Sequence, residues 1–214
     1  MPTILRVGLT GGIGAGKSTV AGLLDGPRFL IIDADHLGHA VLESDENART
    51  EIVAALGAGV LDSAGRVDRS VLGQVVFGDS AARQALEAIV HPRIRAAEEA
   101  KVAEWGVREG IVVTEAALLI ETGGHERYDR IAVVTAPMAD RLERLSRRGI
   151  ERADAKRRIN AQLPDKDKVA VADHVVHNDG TAIATTEQVE RIRIALLDDL
   201  SYVVRGLSLP ARQP

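Results

Sequence analysis

The stretch Gly8-Leu9-Thr10-Gly11-Gly12-Ile13-Gly14-Ala15-Gly16-Lys17-Ser18-Thr19 carries the densest chemistry in the sequence. Gly11 to Ser18 satisfies G-x-x-x-x-G-K-[ST] at every constrained position. Glycines let several backbone N–H groups turn toward one anion. A helix opening behind them adds the positive end of its dipole. Lys17 is placed to reach the β- and γ-phosphates of a nucleotide, and Ser18 to offer its hydroxyl to Mg²⁺. Gly12, Gly14, Ala15, Gly16, Lys17, Ser18 and Thr19 are therefore the expected nucleotide-binding residues. The bland alternative is a glycine-rich turn joining a strand to a helix. The motif indicates a nucleoside triphosphate and leaves kinase, GTPase and motor open.

Phosphoryl transfer to a hydroxyl needs a carboxylate that orients the acceptor and takes its proton. Asp33 and Asp35, in "IIDADH", follow the second apolar run of the chain. Asp33 is the expected base. Its alternative role is to cap a helix that begins near Asp35.

These residues need elements that hold them together. Ile4 to Leu9 reads as a short buried strand, the residues after Ser18 as a helix with Val20, Leu23 and Leu24 on its apolar face, and Phe29 to Ile32 as a second strand. From Ala34 to about Arg108 the spacing is helical throughout. "GIVVTEAALLI" and "RIAVVTA" are further buried strands and "ADHVVHNDG" holds a short last one. Pro137 is expected to open a helix ending at Gly149, a basic helix covers about 152–162, and an amphipathic helix covers Thr185 to about Arg205. The tail "LSLPARQP" is expected to be frayed. The fold class is α/β: about five parallel strands with helices on both faces, binding ligands at the carboxyl ends of the strands. The expected division is a core of about 1–33, 109–136 and 163–205, a helical insert of about 34–108, and a lid of about 137–162.

Composition narrows the classes. The chain has 214 residues, a formal net charge of −4, 2% aromatics and no cysteine. Absence of cysteine excludes disulfides, thiolate metal sites and thiol nucleophiles. Scarce aromatics and the acidic balance argue against a nucleic-acid partner. No apolar run approaches a membrane span, and the N-terminal one is too short and glycine-broken for a signal peptide. The expected location is the cytoplasm. A switch GTPase needs an N-K-x-D segment, which the sequence lacks.

"GLTGGIGAGKSTV", "IIDADHLGHAV", "VHPRIR", "ALLIETG" and "ADHVVHNDG" occur in that order. In content and spacing, from about Leu5 to Gly180, the chain resembles the dephospho-CoA kinases, P-loop kinases of the nucleoside-monophosphate-kinase type. The resemblance implies a three-layer P-loop fold with a helical acceptor-binding insert and a lid. It implies transfer from ATP, with Mg²⁺, to the ribose 3′-hydroxyl of dephospho-CoA, the last step of coenzyme A synthesis. Asp33 would then be the base for that hydroxyl, with Thr10 and Asp35 close to the acceptor. Another P-loop kinase of a nucleotide or nucleoside is the nearest alternative, and a nucleotide-hydrolysing switch the more distant one.

The resemblance also places "VHPRIR" in the acceptor-binding insert. Arg93 or Arg95 would pair with the acceptor's diphosphate, as guanidinium forks do. The alternative makes Pro92 the start of a helical turn, His91 a satisfied partner of nearby backbone, and the arginines a solvated face. Arg141, Arg144, Arg148 and Arg152 recur at helical spacing, with Leu142 and Leu145 opposite. They form either a solvated basic face or a lid in which Arg144, with Arg148 or Arg147, neutralises charge on the transferred group. Asn178 either pairs with the adenine edge or makes a turn, and the two roles are compatible. Glu115 is placed to hold Mg²⁺ through water, to position the acceptor, or to finish a strand. Beside it the sequence departs from the family, with Ala117 where a proline usually stands. Glu121 is expected to be structural.

Overall fold

The computed structural model describes residues 3–211. Five strands form one parallel sheet in the order β2-β3-β1-β4-β5. They are β1 (Thr3–Gly11), β2 (Phe29–Asp33), β3 (Glu109–Glu115), β4 (Arg130–Thr135) and β5 (His174–His177). β3 and β4 hold near-continuous apolar runs, and β1 is buried from Val7 to Gly11, because parallel strands are covered on both faces. Leu5, Val7 and Leu9 on β1 point to one face. There they pack with Val20, Ala21 and Leu24 of α1 (Lys17–Leu24), and with Val189, Ile192, Leu196 and Leu200 of the last helix. Ile131 and Val133 face the other way, toward Leu119 and Ala172. The period-two alternation of a strand produces these two core layers.

The chain forms two compact units, residues 1–33 with 105–214, and residues 34–104. The second is helical: α2 (Ala34–Ser44), α3 (Glu46–Leu56), α4 (Arg69–Gly78) and most of α5 (Ser80–Trp105). Its own core gathers Ile52, Val60 and Leu72. Aspartates start its helices: Asp45 accepts from Ala48 N, Asp68 from Ser70 N and Val71 N, and Asp79 from Ala81 N. Pro92 does not open a helical turn; it lies inside α5. A mid-helix proline removes one backbone bond and crowds the preceding turn. Arg93 Nη1 donates to Ile89 O at 2.7 Å within that turn.

The first unit adds α6 (Met138–Arg147), α7 (Arg152–Asn160), α8 (Asp165–Val169) and α9 (Ala182–Val204). Several expectations change here. Pro137 is the cap before α6 rather than its first residue. Arg141, Arg144, Arg148 and Arg152 do not share one helical face, because α6 ends before Arg148. Gly149, at φ +78, donates to Ser146 O while Ile150 N donates to Leu145 O. That is a Schellman ending, whose left-handed residue favours glycine. The short helix α8 had no sequence signal of its own. Nor is the tail frayed as far as Pro210: Leu209 packs on the main core, and Pro210 O accepts from Arg130 Nη2 at 2.6 Å. The remaining tail residues 212–214 lie outside the described residues.

Candidate active site at the carboxyl ends of the strands

Because the strands are parallel, the ends of β2, β3, β1, β4 and β5 bring Asp33, Glu115, Gly11, Thr135 and His177 to the same edge of the sheet. The glycine-rich loop leaves β1 there and runs into α1. Lys17 Nζ folds back to Gly11 O at 3.2 Å. Ser18 Oγ, in the first turn of α1, donates to Glu115 Oε1 at 3.1 Å. Glu115 is also the register partner of Asp33 on the neighbouring strand. One shoulder of the loop thus carries a hydroxyl, a carboxylate bonded to it, and a second carboxylate one strand away. Asp33, Ser18 and Thr19 are exposed at this edge. Oxygen donors of this kind suit a hard cation that keeps part of its water shell, as Mg²⁺ does.

The opposite shoulder is built from α6 and the end of β5. Arg144 Nη1 donates to Gly14 O and Ala15 O at 3.2 and 3.0 Å, and its Nη2 to Asn178 O at 2.8 Å. Asn178 Nδ2 donates to Ala15 O at 2.8 Å, while its Oδ1 accepts from Thr185 Oγ1 at 3.2 Å. The expected turn residue and the expected lid arginine therefore meet on the backbone of the loop. Both lie on the β4–β5 side of β1, whereas Asp33 and Glu115 lie on the β2–β3 side. Arg147 pairs with Glu143 on the surface at 2.6 Å, and Arg148 is the exposed cap residue of α6.

Sequence reading gave two residues no role at the loop: Gln162, and Arg141, which it placed on the basic face. Arg141, only 6% exposed, donates through Nε to Ile13 O at 2.8 Å. Gln162 accepts from Ile13 N at 2.7 Å. Burial lowers the pKa of Arg141 from its ordinary value, and the charge of Asp165 opposes that shift. Thr10 is fully buried, and its Oγ1 has no hydrogen-bond partner among the described residues. It lies beneath the surface rather than on it. Glu121 is structural: it pairs with the fully buried Lys168 and accepts from Leu163 N.

The remaining expected residues belong to the helical unit. Asp35 is exposed in the first turn of α2. His91 and Arg95 lie one turn apart on α5 and, with Gln84 and Glu87, line a shallow groove on one helix face. Arg93 is engaged within its own unit, by Glu51 at 2.7 and 3.2 Å and by Asp45 at 3.0 Å. Those bonds raise its pKa, with the Glu51 hydrogen bonds contributing most. Of the two arginines, Arg95 is the one that stands exposed.

Residues 5–184 match the family model for dephospho-CoA kinase. The chain belongs to that family. A Geobacter sulfurreducens dephospho-CoA kinase is 41% identical over 189 residues, covering 87% of this chain and 95% of its own. One from Anaeromyxobacter dehalogenans is 42% identical over 212 residues, covering 97% of both. A crystal structure of a Thermus thermophilus protein superposes with a TM-score of 0.79 at 31% identity, covering 90% of this chain and 97% of that one. The chain is thus a kinase of the P-loop class. No helix among the described residues is long and apolar enough to cross a membrane.

Proposed function

We propose that this kinase transfers the γ-phosphoryl group of ATP to the ribose 3′-hydroxyl of dephospho-CoA, giving coenzyme A and ADP. The observation that carries the assignment of roles is the Ser18–Glu115 hydrogen bond at 3.1 Å, with Asp33 in register beside Glu115. Asp33 takes the proton from the 3′-hydroxyl as its oxygen bonds to the γ-phosphorus. The bond from that phosphorus to the bridging oxygen breaks, and its electron pair leaves with ADP. Mg²⁺ would be held by Ser18, with Glu115 behind it, and would supply charge neutralisation at the phosphates. Lys17 reaches the β/γ-phosphates once it leaves Gly11 O, and the amides of Gly12 to Thr19 cradle the chain of phosphates.

The contacts of Arg144 with Gly14, Ala15 and Asn178 support a role at the base end of the nucleotide rather than at the transferred group. Asn178 shares that end, and Arg148 stands at its margin. Asp35, His91 and Arg95 are the proposed acceptor contacts of the helical unit, and buried Thr10 supports the acceptor side from beneath. The proposed location is the cytoplasm.

The test is ADP formation from Mg-ATP by the purified protein, with and without dephospho-CoA, while coenzyme A is followed by chromatography. ADP that depends on the acceptor and matches coenzyme A one for one is the expected result. ADP release indifferent to dephospho-CoA would overturn the assignment.

A further inference from the structure

The second variable residue of the phosphate loop, Ile13, is held by groups far away in the chain. Gln162 Oε1 accepts from Ile13 N at 2.7 Å, and Arg141 Nε donates to Ile13 O at 2.8 Å. Arg141 Nη2 lies 3.5 Å from the same Gln162 oxygen. The three contacts close a ring on the backbone N–H and C=O of one residue, Ile13. Asp165, at 3.5 Å from Nη1, balances the buried charge. The Ile13 side chain enters the small apolar cluster of Leu142, Leu145, Ala155 and Ile159, which joins α6 to α7. Space for the ring is reserved in the loop itself, since a Cβ on Gly12 would fall 2.1 Å from Arg141 Nη2. Gly12 therefore serves the guanidinium as well as the phosphates.

We propose that Arg141 and Gln162 are positioning residues that clasp the Ile13 backbone and hold the phosphate loop in its nucleotide-binding shape before nucleotide arrives. Neither needs to touch the nucleotide. The clasp spares the ordering cost that a loose loop would meet on binding. It also fastens the loop to the α6–α7 segment, so a shift in that segment is felt at the Ile13 backbone. The inference rests on the reading that this loop holds the phosphates of ATP.

The experiment measures binding of Mg-ADP by calorimetry, with steady-state constants for both substrates. The wild type is compared with Gln162→Glu, Gln162→Met, Arg141→Lys and Lys17→Ala. Gln162→Met removes the acceptor and should weaken ADP by about 3–10-fold. Gln162→Glu keeps an oxygen in place and should stay within about twofold of wild type. Lysine cannot serve both Ile13 O and Gln162, so Arg141→Lys should cost about tenfold or more. The KM for ATP should follow these values while that for dephospho-CoA stays unchanged. Equal weakening by Gln162→Glu and Gln162→Met, or an equal rise in the KM for dephospho-CoA, would overturn the clasp. So would wild-type ADP affinity in Gln162→Met when Lys17→Ala has lost it. Undiminished ADP affinity in Lys17→Ala would instead overturn the reading of the loop itself.

Discussion

Replacing Asp33 by Asn removes a proton-accepting oxygen while keeping the shape of the side chain. Asp33 is the last residue of β2, exposed, and in register with Glu115. Exposed substitutions of this kind change stability by about 0.5 kcal/mol or less. Any capping of α2 is also preserved, because Asn caps a helix about as well as Asp. The phosphate loop keeps its bonds, since Lys17 rests on Gly11 O and Ser18 on Glu115. Binding of ATP should therefore be retained, and the loss should fall on the chemical step. A positioned base contributes about 10²–10⁴ in rate, equivalent to about 2.7–5.5 kcal/mol of barrier. The assay is coenzyme A formation at saturating ATP and dephospho-CoA, with the melting temperature and the KM for ATP measured alongside. The expected variant has kcat lowered by at least about a hundredfold, with Tm and the KM for ATP near wild type. Turnover within about threefold of wild type would refute the role of base and leave Asp33 as a helix cap.

Glu115→Gln keeps an oxygen for Ser18 Oγ but removes the charge that the proposed function puts behind Mg²⁺. The Mg²⁺ concentration for half-maximal rate should rise by about 10–100-fold, and a titration showing no change would remove Glu115 from the metal's surroundings. At the far ends of the strands, Arg130 forms two bonds to Asp199, at 2.8 and 3.2 Å, with Asp199 fully buried. Asp199→Ala removes the nearer of the two carboxylates on this buried guanidinium, leaving Asp173 at 3.5 Å and Pro210 O, and should cost about 3–5 kcal/mol. With roughly 2.1 cal/mol/K of unfolding entropy per residue, the 214 residues turn that cost into a drop in Tm of roughly 7–11 °C, while kcat at low temperature is unchanged. Asp45 has its pKa lowered, first by the Ala48 N–H and further by Arg93. Its contribution is present above the ordinary carboxylate range and is lost as pH falls through the lowered folded value, below 3.8. The Tm difference between wild type and Asp45→Ala should therefore be largest near neutrality and shrink toward pH ~3; a difference constant with pH would refute the coupling.

The division between what was legible in the sequence and what was not follows the range of the interactions. Gly11 to Ser18 could be read directly because its demands are local: a strand feeding in, glycines at a turn, a lysine and a hydroxyl at a helix start. The same holds for strands whose apolar runs are covered on both faces, and for Asp33 and Glu115, each placed by ending such a strand. The basic stretch from Arg141 to Arg152 was misread as one face. Gly149 marked the helix end, but the +3, +4, +4 spacing of the arginines runs across it as though the helix continued.

The fates of individual arginines were equally invisible. Arg93 satisfies Asp45 and Glu51, Arg95 stands exposed, Arg144 rests on loop carbonyls, and Arg141 is buried. All four have the same side chain, and only their surroundings separate them. The sequence by itself determined the glycine-rich loop between strand and helix, the class of reaction and most of the elements around them, because short-range geometry and burial leave few alternatives there. The tertiary structure alone decided which shoulder of the loop each side chain occupies, and that Arg141 and Gln162 close on Ile13. Those contacts join residues 128 and 149 positions apart, and no local pattern records a partner that only folding brings near.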